Sequence, residues 1–253
     1  YNRGAMEQFV IHGGRPLQGE IVVRGAKNAA FPILAATILT KQDCVIKNLP
    51  LIEDVYRTLE ILQGMGALVA WLGSRKVKVN TATLDPAKIK KEIVSRFRGS
   101  VLLLGPLLAR FGRVTLPKPG GDIIGARPID THLDAFSQLG IKVLASNGKV
   151  VLEKPAHLAS RNVILNEFSV TATENMLLFA ALQPHTITIK TADQDYPVQE
   201  LTKVLQHMGV KIAHEGPHAI EVRGKRELRG MNHTLMFDPI EAGTFLVLAA
   251  ASR

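Results

Sequence analysis

The sequence predicts an α/β (α+β) protein made of three repeated units, with buried helices at the centre and sheets on the outside. The first observation behind this prediction is an internal repeat. A segment over residues 59–69 recurs in pattern over residues 132–143 and 201–212. Each copy reaches a glycine after its apolar stripe, at Gly66, Gly140 and Gly209, which are 74 and 69 residues apart. Each copy is therefore interpreted as an amphipathic helix that a glycine ends.

The second observation is a more apolar segment upstream of each amphipathic helix. These segments cover residues 29–39, 101–109 and 176–182, and every residue of the third is apolar. A helix that is apolar on all sides is buried. Three such helices are therefore expected at the centre of the domain, surrounded by the amphipathic helices and the sheets.

Two strands joined by a turn are expected after each amphipathic helix. Asn147-Gly148 lies between apolar pairs and predicts a hairpin with a two-residue turn. Two further strands are predicted, one over residues 20–23 and one that contains Cys44. We interpret Cys44, the single cysteine of the chain, as a small buried apolar residue.

A fourth unit begins near the end of the chain. Residues 241–250 resemble residues 173–181, an offset of about 70 residues that matches the repeat. We expect residues 24–235 to form a complete three-unit domain, with residues 6–23 and 236–253 as partial pieces of a second one. Residues 1–5 are interpreted as an addition ahead of a start at Met6. The expectation is therefore a truncated longer protein, or a second chain that supplies the rest, with a natural C-terminal helix as the alternative.

Composition limits the classes of function. The chain has 253 residues, 46% of them apolar, and a formal net charge of +9, which excludes global disorder and coiled coil. Its basic residues are scattered and only 5% of its residues are aromatic, so an anionic small molecule is expected as the partner, and nucleic acid is not. Apolar runs are shorter than the ~18 residues that span a membrane, so no membrane partner is expected. One cysteine favours a reducing, cytoplasmic location.

Two stretches carry the candidate chemistry, because zinc, P-loop and nucleophile-elbow motifs are absent from the sequence. The first is residues 24–32, where Lys27 and Asn28 lie at the start of the first buried helix and favour an anion. The alternative is a solvated lysine at a helix start. The second is the Gly- and Pro-rich segment 117–130, which carries Asp122 and Arg127 and is interpreted as a lid over a substrate. The alternative is a plain connector with a surface ion pair.

The other two units carry polar groups at equivalent helix starts. Arg98 occupies the place in the second unit that Lys27 occupies in the first, and residues 169–173 offer hydroxyls and amides in the third. The repeat therefore places polar or charged side chains at the N-terminus of the central helix in each of the three units. Helix capping alone is the alternative explanation for each of them.

These residues together resemble the enolpyruvyl transferases, and among them the members that act on UDP-N-acetylglucosamine. The resemblance runs from about Met6 to Arg253. The matching segments are Gly25-Ala26-Lys27-Asn28-Ala29-Ala30, residues 104–112, Pro119-Gly120-Gly121, Gly125-Ala126-Arg127-Pro128, Ser169-Val170 with Ala172-Thr173, and residues 243–247. It implies a fold of two inside-out domains with three units each, and transfer of the enolpyruvyl group of phosphoenolpyruvate to the 3-hydroxyl of UDP-N-acetylglucosamine, at the start of peptidoglycan synthesis.

The resemblance also implies residue roles. Lys27 would contact the phosphate of phosphoenolpyruvate, Asn28 the sugar side, and Arg98 and Arg127 the phosphoenolpyruvate anion. No cofactor and no metal are implied. The residues expected to line the uridine and diphosphate site are Arg127, Pro128, Ile129, Asp130, Thr131, Ser169, Val170 and Thr171, with His132 close by.

Asp122 departs from the pattern of most family members, which have cysteine at this position. The resemblance implies that Asp122, with Lys27 and Arg127, belongs to the catalytic set, as an acid toward the methylene carbon of phosphoenolpyruvate. A carboxylic acid donates that proton if its pKa is raised in a dry site. Unlike a thiolate, an aspartate is not alkylated by the epoxide fosfomycin. The family's proton-abstracting aspartate is expected beyond residue 253, so this chain alone is expected to be inactive.

Three hypotheses stay open at this point. The first is the UDP-N-acetylglucosamine transferase. The second is a 3-phosphoshikimate transferase, which Asn28 disfavours because serine is usual after the lysine there. The third is a non-catalytic remnant of the fold. A homodimer through the exposed partial second domain is also a possible assembly.

Overall fold

The computed structural model describes residues 9–14, 17–120 and 128–252 and confirms the predicted α/β fold, with buried helices at the centre and sheets on the outside. Three units follow one another along the chain, and each places one helix at the centre. The first unit consists of α1 (Lys27–Ala36) with a 3₁₀ turn (Thr37–Leu39), β1 (Cys44–Lys47), α2 (Glu53–Gly64), β2 (Leu68–Gly73) and β3 (Lys76–Asn80).

The second unit repeats this order with additional short helical turns. Its elements are a 3₁₀ turn (Pro86–Lys88), α3 (Lys91–Val94), a 3₁₀ segment (Arg98–Leu103) that continues into α4 (Leu104–Phe111), β4 (Arg113–Pro117), α5 (Asp130–Gln138), β5 (Lys142–Ser146) and β6 (Lys149–Glu153).

The third unit follows the same plan. Its elements are β7 (Asn162–Ile164), α6 (Val170–Ala180), β8 (Thr186–Lys190), α7 (Tyr196–Met208), β9 (Lys211–His214) and β10 (Ala219–Arg223), and β11 (Asn232–Thr234) and α8 (Pro239–Ala251) come after it.

Each unit has its own sheet on the outside of the domain. The strand orders are β11-β1-β3-β2, β4-β6-β5 and β7-β8-β10-β9. β11 runs parallel to β1, so a strand that follows the third unit completes the sheet of the first. This pairing closes the three units into one body around a shared core.

The central helices α1, α4 and α6 are buried, as their composition predicts. α4 and α6 approach closely at Gly105, where an added Cβ would meet the backbone carbonyl of Asn175. The absence of a side chain at Gly105 therefore sets the distance between these two helices. Three polar side chains of α6, those of Thr173, Glu174 and Asn175, are buried with the apolar ones.

The predicted helix ends and hairpin are confirmed. Gly66, Gly140 and Gly209 have φ angles of 96°, 79° and 108° at the ends of the amphipathic helices, a conformation that glycine adopts without a steric penalty. Asn147 and Gly148 have φ angles of 51° and 70° and join β5 to β6, as a type I′ turn requires. Cys44 lies on β1 and is buried, also as predicted.

The strand predicted over residues 20–23 is wrong. Among the described residues, no strand runs beside this segment, and Ile21 and Val22 are exposed. A strand needs a hydrogen-bonded neighbour, and pairing here is limited to an isolated bridge between Gly25 and Phe237.

α8 confirms the helix of the fourth repeat but buries none of its residues. Its first turn is attached to the start of α1 through Asp238. The Oδ1 atom of Asp238 accepts from the amides of Ile240 (2.9 Å) and Glu241 (3.2 Å), and its Oδ2 atom accepts from the amide of Lys27 (3.1 Å). One carboxylate thus caps two helices.

None of the helices in the described ranges is both long enough and apolar enough to cross a membrane.

Candidate functional site

The candidate site is a cavity at the end of the domain where the three central helical segments begin. α1 begins at Lys27, the 3₁₀ segment before α4 begins at Arg98, and α6 begins at Val170. All three residues line one cavity of about 320 Å³. Its other lining residues are Asn28, Phe31, Asp54, Arg96, Phe97, Gly99, Leu102, Thr171, Glu174, Asp195 and Pro197.

Lys27 and Asn28 lie at the N-terminus of α1, as predicted, but the first backbone amide of the helix is not available to an anion. Asp238 already occupies the amide of Lys27 at 3.1 Å. The Lys27 ammonium lies 3.4 Å from the Asp54 carboxylate and is about half exposed. The Asn28 amide donates to the Tyr196 hydroxyl at 3.3 Å. An anion at this corner therefore meets the Lys27 charge but not the Lys27 amide.

Arg98 adds a second positive charge and connects the cavity to the segment that precedes α5. Its Nη2 atom donates to the backbone carbonyl of Pro128 at 2.6 Å. Arg96 lines the same cavity. The two arginines and Lys27 give the cavity three positively charged side chains, which suit a phosphate or carboxylate ligand.

A buried hydrogen-bond chain lies behind the cavity and determines the tautomer of His132. The Asn175 Oδ1 atom accepts from the amide of Gly105 (2.8 Å), so the other end of this side chain is the NH₂ group. That group donates to the carbonyl of Val101 and to Nδ1 of His132, both at 2.9 Å. Because Nδ1 accepts, the proton of the neutral imidazole is on Nε2.

The same chain orients the hydroxyl of Thr171. The Nε2 atom of His132 lies 3.1 Å from Thr171 Oγ1 and donates to it. Burial, and then the charge of Arg98, lower the pKa of His132 to about 3, so the ring stays neutral. Thr171 lines the cavity, and its hydroxyl hydrogen then points away from Nε2 and is available to another acceptor.

Three acidic side chains that sequence reasoning missed also line the cavity: Asp54, Glu174 and Asp195. Glu174 is 1% exposed, and burial raises its pKa well above the usual range, with further contributions from Asp193 and Asp195. A sequence signal for Glu174 existed, because it is a charged residue in an otherwise buried helix, one turn after Thr171.

The remaining predicted residues fall into four groups. Pro128, Ile129 and Asp130 line a separate cleft of about 270 Å³. Thr131 donates to Glu167 at 2.9 Å, and Ser169 caps α6 by accepting from the amide of Ala172 at 3.4 Å. His132 does not line the cavity, since it is 2% exposed and reaches the cavity only through Thr171. Asp122 and Arg127 lie outside the described residues.

In the part of the chain that the structure describes, no group of three or more histidine, cysteine, aspartate or glutamate side chains is arranged to hold a metal ion.

Comparison with known proteins gives concordant matches. The family model described as EPSP synthase (3-phosphoshikimate 1-carboxyvinyltransferase) matches residues 11–253. Three curated relatives carry the name UDP-N-acetylglucosamine 1-carboxyvinyltransferase. They come from Shewanella denitrificans (38% identical), Treponema denticola (38%) and Carboxydothermus hydrogenoformans (40%, numbered 2). The matches cover 98% of this chain, which spans 58–59% of the length of these relatives.

Solved structures share the fold. The enolpyruvyl transferase NikO from Streptomyces tendae superimposes with a TM-score of 0.81 at 25% identity, over 93% of this chain and 56% of NikO. An EPSP synthase from Acinetobacter baumannii superimposes with a TM-score of 0.75 at 17% identity, over 93% of this chain and 53% of the enzyme. At that identity the second match supports the fold alone.

Proposed function

The chain belongs to the EPSP synthase (3-phosphoshikimate 1-carboxyvinyltransferase) family of enolpyruvyl transferases, and on that premise we propose that it is part of an enzyme that transfers the enolpyruvyl group of phosphoenolpyruvate to the 3-hydroxyl of UDP-N-acetylglucosamine. In this proposal the reaction starts peptidoglycan synthesis. The names of the relatives at 38–40% identity support UDP-N-acetylglucosamine as the acceptor.

The observation that carries the proposal is the convergence of the three central helical segments on one cavity. Lys27, Arg98 and Thr171 each come from a different unit, and all three line it. Two cations and a hydroxyl donor together match an anionic, phosphate-bearing ligand. Such an arrangement stabilises negative charge that develops on a departing phosphate group.

The proposed reaction has two steps. The sugar hydroxyl oxygen bonds to C2 of phosphoenolpyruvate while C3 gains a proton and the hydroxyl loses one. Phosphate then leaves C2 while C3 loses a proton, which yields the enolpyruvyl ether and inorganic phosphate. In this scheme Lys27, Arg98 and Arg127 hold the phosphoenolpyruvate anion, Asn28 orients the acceptor, and Asp122 supplies the proton to C3.

Pro128, Ile129, Asp130, Thr131, Ser169, Val170 and Thr171 are proposed to hold the uridine diphosphate part. The Arg98–Pro128 hydrogen bond supports this proposal, because it connects the cavity to the cleft that Pro128 lines. Groups from the remaining length of the relatives would complete the site. We therefore propose that the 253-residue chain alone turns over little or no substrate.

Transfer to 3-phosphoshikimate is the second candidate, because the matching family model bears that name. The 38–40% identity to relatives named as UDP-N-acetylglucosamine 1-carboxyvinyltransferases favours the first candidate. Calorimetric titration of the chain with each acceptor separates them. We expect binding of UDP-N-acetylglucosamine and none of 3-phosphoshikimate, and the reverse result would contradict the proposal.

Turnover provides the second test, in a polypeptide of the relatives' full length. Charge-assisted bonds in a closed site are worth a few kcal/mol, so Lys27→Ala and Arg98→Ala should each slow phosphate release by roughly 10²-fold. Lys190→Ala, on β8, is the matched control and should be as fast as the unaltered enzyme. Near-normal turnover in Lys27→Ala would remove Lys27 from the proposed phosphate site.

A further inference from the structure

Glu174 is a buried carboxyl group on the wall of the candidate cavity. It lies on α6, one turn after Thr171, and is 1% exposed. Its Oε1 atom has no hydrogen-bond partner among the described residues. A buried polar atom without a partner costs about 1–3 kcal/mol. Since Glu174 also lines the cavity, a ligand there could supply the missing partner.

The surroundings of Glu174 favour its uncharged form. Burial raises the pKa of this carboxyl well above its usual range, and the carboxylates of Asp193 and Asp195 raise it further. Lys27, the ammonium on the same cavity, is paired with Asp54 at 3.4 Å. Titratable and charged groups from every neighbouring element face the N-terminal end of α6. They are Lys27 of α1, Asp54 of α2, Arg96 and Arg98 before α4, His132 of α5, Asp193 and Asp195 before α7, and Tyr196 at the start of α7.

Both signs of charge occur among the residues that line the cavity. Lys27, Arg96 and Arg98 supply the positive charges, whereas Glu174 interacts with the carboxylates of Asp193 and Asp195. These carboxylates repel a phosphate group. We therefore expect an uncharged part of a ligand next to Glu174.

We propose that Glu174 contacts the ligand as a neutral carboxylic acid and hydrogen-bonds an uncharged polar group, a hydroxyl or an amide, of its sugar part. A carboxylic acid both donates and accepts, which matches a hydroxyl group. This inference rests on the proposed function, because it takes a nucleotide sugar as the ligand.

The test compares two probes and three proteins by calorimetry. UDP-N-acetylglucosamine carries the sugar and UDP lacks it, and the proteins are the unaltered chain, Glu174→Gln and Glu174→Leu. The Gln amide keeps a donor and an acceptor, so we expect its affinity for UDP-N-acetylglucosamine to stay within about threefold. Leucine removes both, so we expect a loss of about tenfold or more for UDP-N-acetylglucosamine and almost none for UDP.

A stability measurement separates ligand contact from a structural role. Leucine replaces an unpartnered buried polar group with an apolar one, so Glu174→Leu should unfold at the same or a higher urea concentration. Lower stability in Glu174→Leu would assign Glu174 to the fold and overturn the proposal.

The pH dependence gives an independent readout that does not need the leucine variant. As pH rises through the raised pKa of Glu174, ionisation of its carboxyl group should weaken binding of UDP-N-acetylglucosamine to the unaltered chain but not to Glu174→Gln. Equal affinities of all three proteins for UDP-N-acetylglucosamine, or a tenfold loss of that affinity in Glu174→Gln, would overturn the proposed role of Glu174 and leave the proposed function standing. Failure of the unaltered chain to bind either probe would instead overturn the proposed function, and this inference with it.

Discussion

Acidification is expected to destabilise this protein through His132. The ring is buried, and burial and Arg98 lower its pKa from 6.5 to about 3. Below pH 6.5 the imidazole of the unfolded chain binds a proton that the folded chain does not bind until about pH 3. The free energy of unfolding therefore falls as pH decreases through this window. At about pH 5 the protonated unfolded form exceeds the neutral one about 30-fold, and RT ln of that ratio is about 2 kcal/mol.

The assay is urea unfolding followed by circular dichroism at several pH values between about 7 and 5. Other ionisable groups also contribute to the pH dependence of stability, so the comparison is between the unaltered chain and His132→Gln. We expect the unaltered chain to lose about 2 kcal/mol more than His132→Gln over this range. His185→Gln, at an exposed histidine, is the control and should follow the unaltered chain.

Equal pH dependence in the unaltered chain and His132→Gln would refute the reasoning. It would mean that His132 accepts a proton in the folded state, and Nε2 would then not be the only ring nitrogen that carries hydrogen. The orientation of the Thr171 hydroxyl could then no longer be inferred from the tautomer of His132. Nitrogen NMR of labelled histidine reports the same tautomer directly and does not depend on unfolding.

Three further predictions concern the fold. Urea titration measures the first. Gly105→Ala forces a methyl group against α6 and should lower the free energy of unfolding by about 1–3 kcal/mol. Gly243→Ala, whose added Cβ has nothing within 4 Å, should raise the free energy of unfolding by about 0.5–1 kcal/mol. Asp238→Ala removes the caps of α1 and α8 and should lower the free energy of unfolding by about 2 kcal/mol. Asp85 caps only a 3₁₀ turn, so Asp85→Ala should lower it by less than about 1 kcal/mol. Equal losses in the two variants would contradict the double cap. Cys44 is buried with a pKa raised to about 11, so iodoacetamide at about pH 8 should label it at least about 100-fold more slowly in the folded chain than in guanidinium, as mass spectrometry would detect.

Much of the fold was predictable because its signals are local. Apolar periodicity, the glycines that end the amphipathic helices and the Asn147-Gly148 turn each act over a few residues. The failure over residues 20–23 has the complementary cause, because a strand exists only where another strand hydrogen-bonds to it. No local pattern reports whether that neighbour is present.

The candidate site was predictable in part for the same reason. Lys27, Asn28, Arg98, Val170 and Thr171 were expected at corresponding helix starts, and the structure brings all five to one cavity. Glu174 was missed because it lies within a helix whose apolar composition indicates only burial. His132 was expected beside a ligand but lies behind Thr171.

The sequence by itself determined the repeated units, their central helices and the residue types at each helix start, since these depend on interactions between neighbours along the chain. Only the tertiary structure decided that the three helix starts share one cavity, that Asp238 caps two helices, and that burial and nearby carboxylates raise the pKa of Glu174. Each of these outcomes depends on groups far apart in sequence, such as Lys27 and Asp238 or Glu174 and Asp195. Desolvation and charge interactions follow distances in space, which packing of the three units establishes.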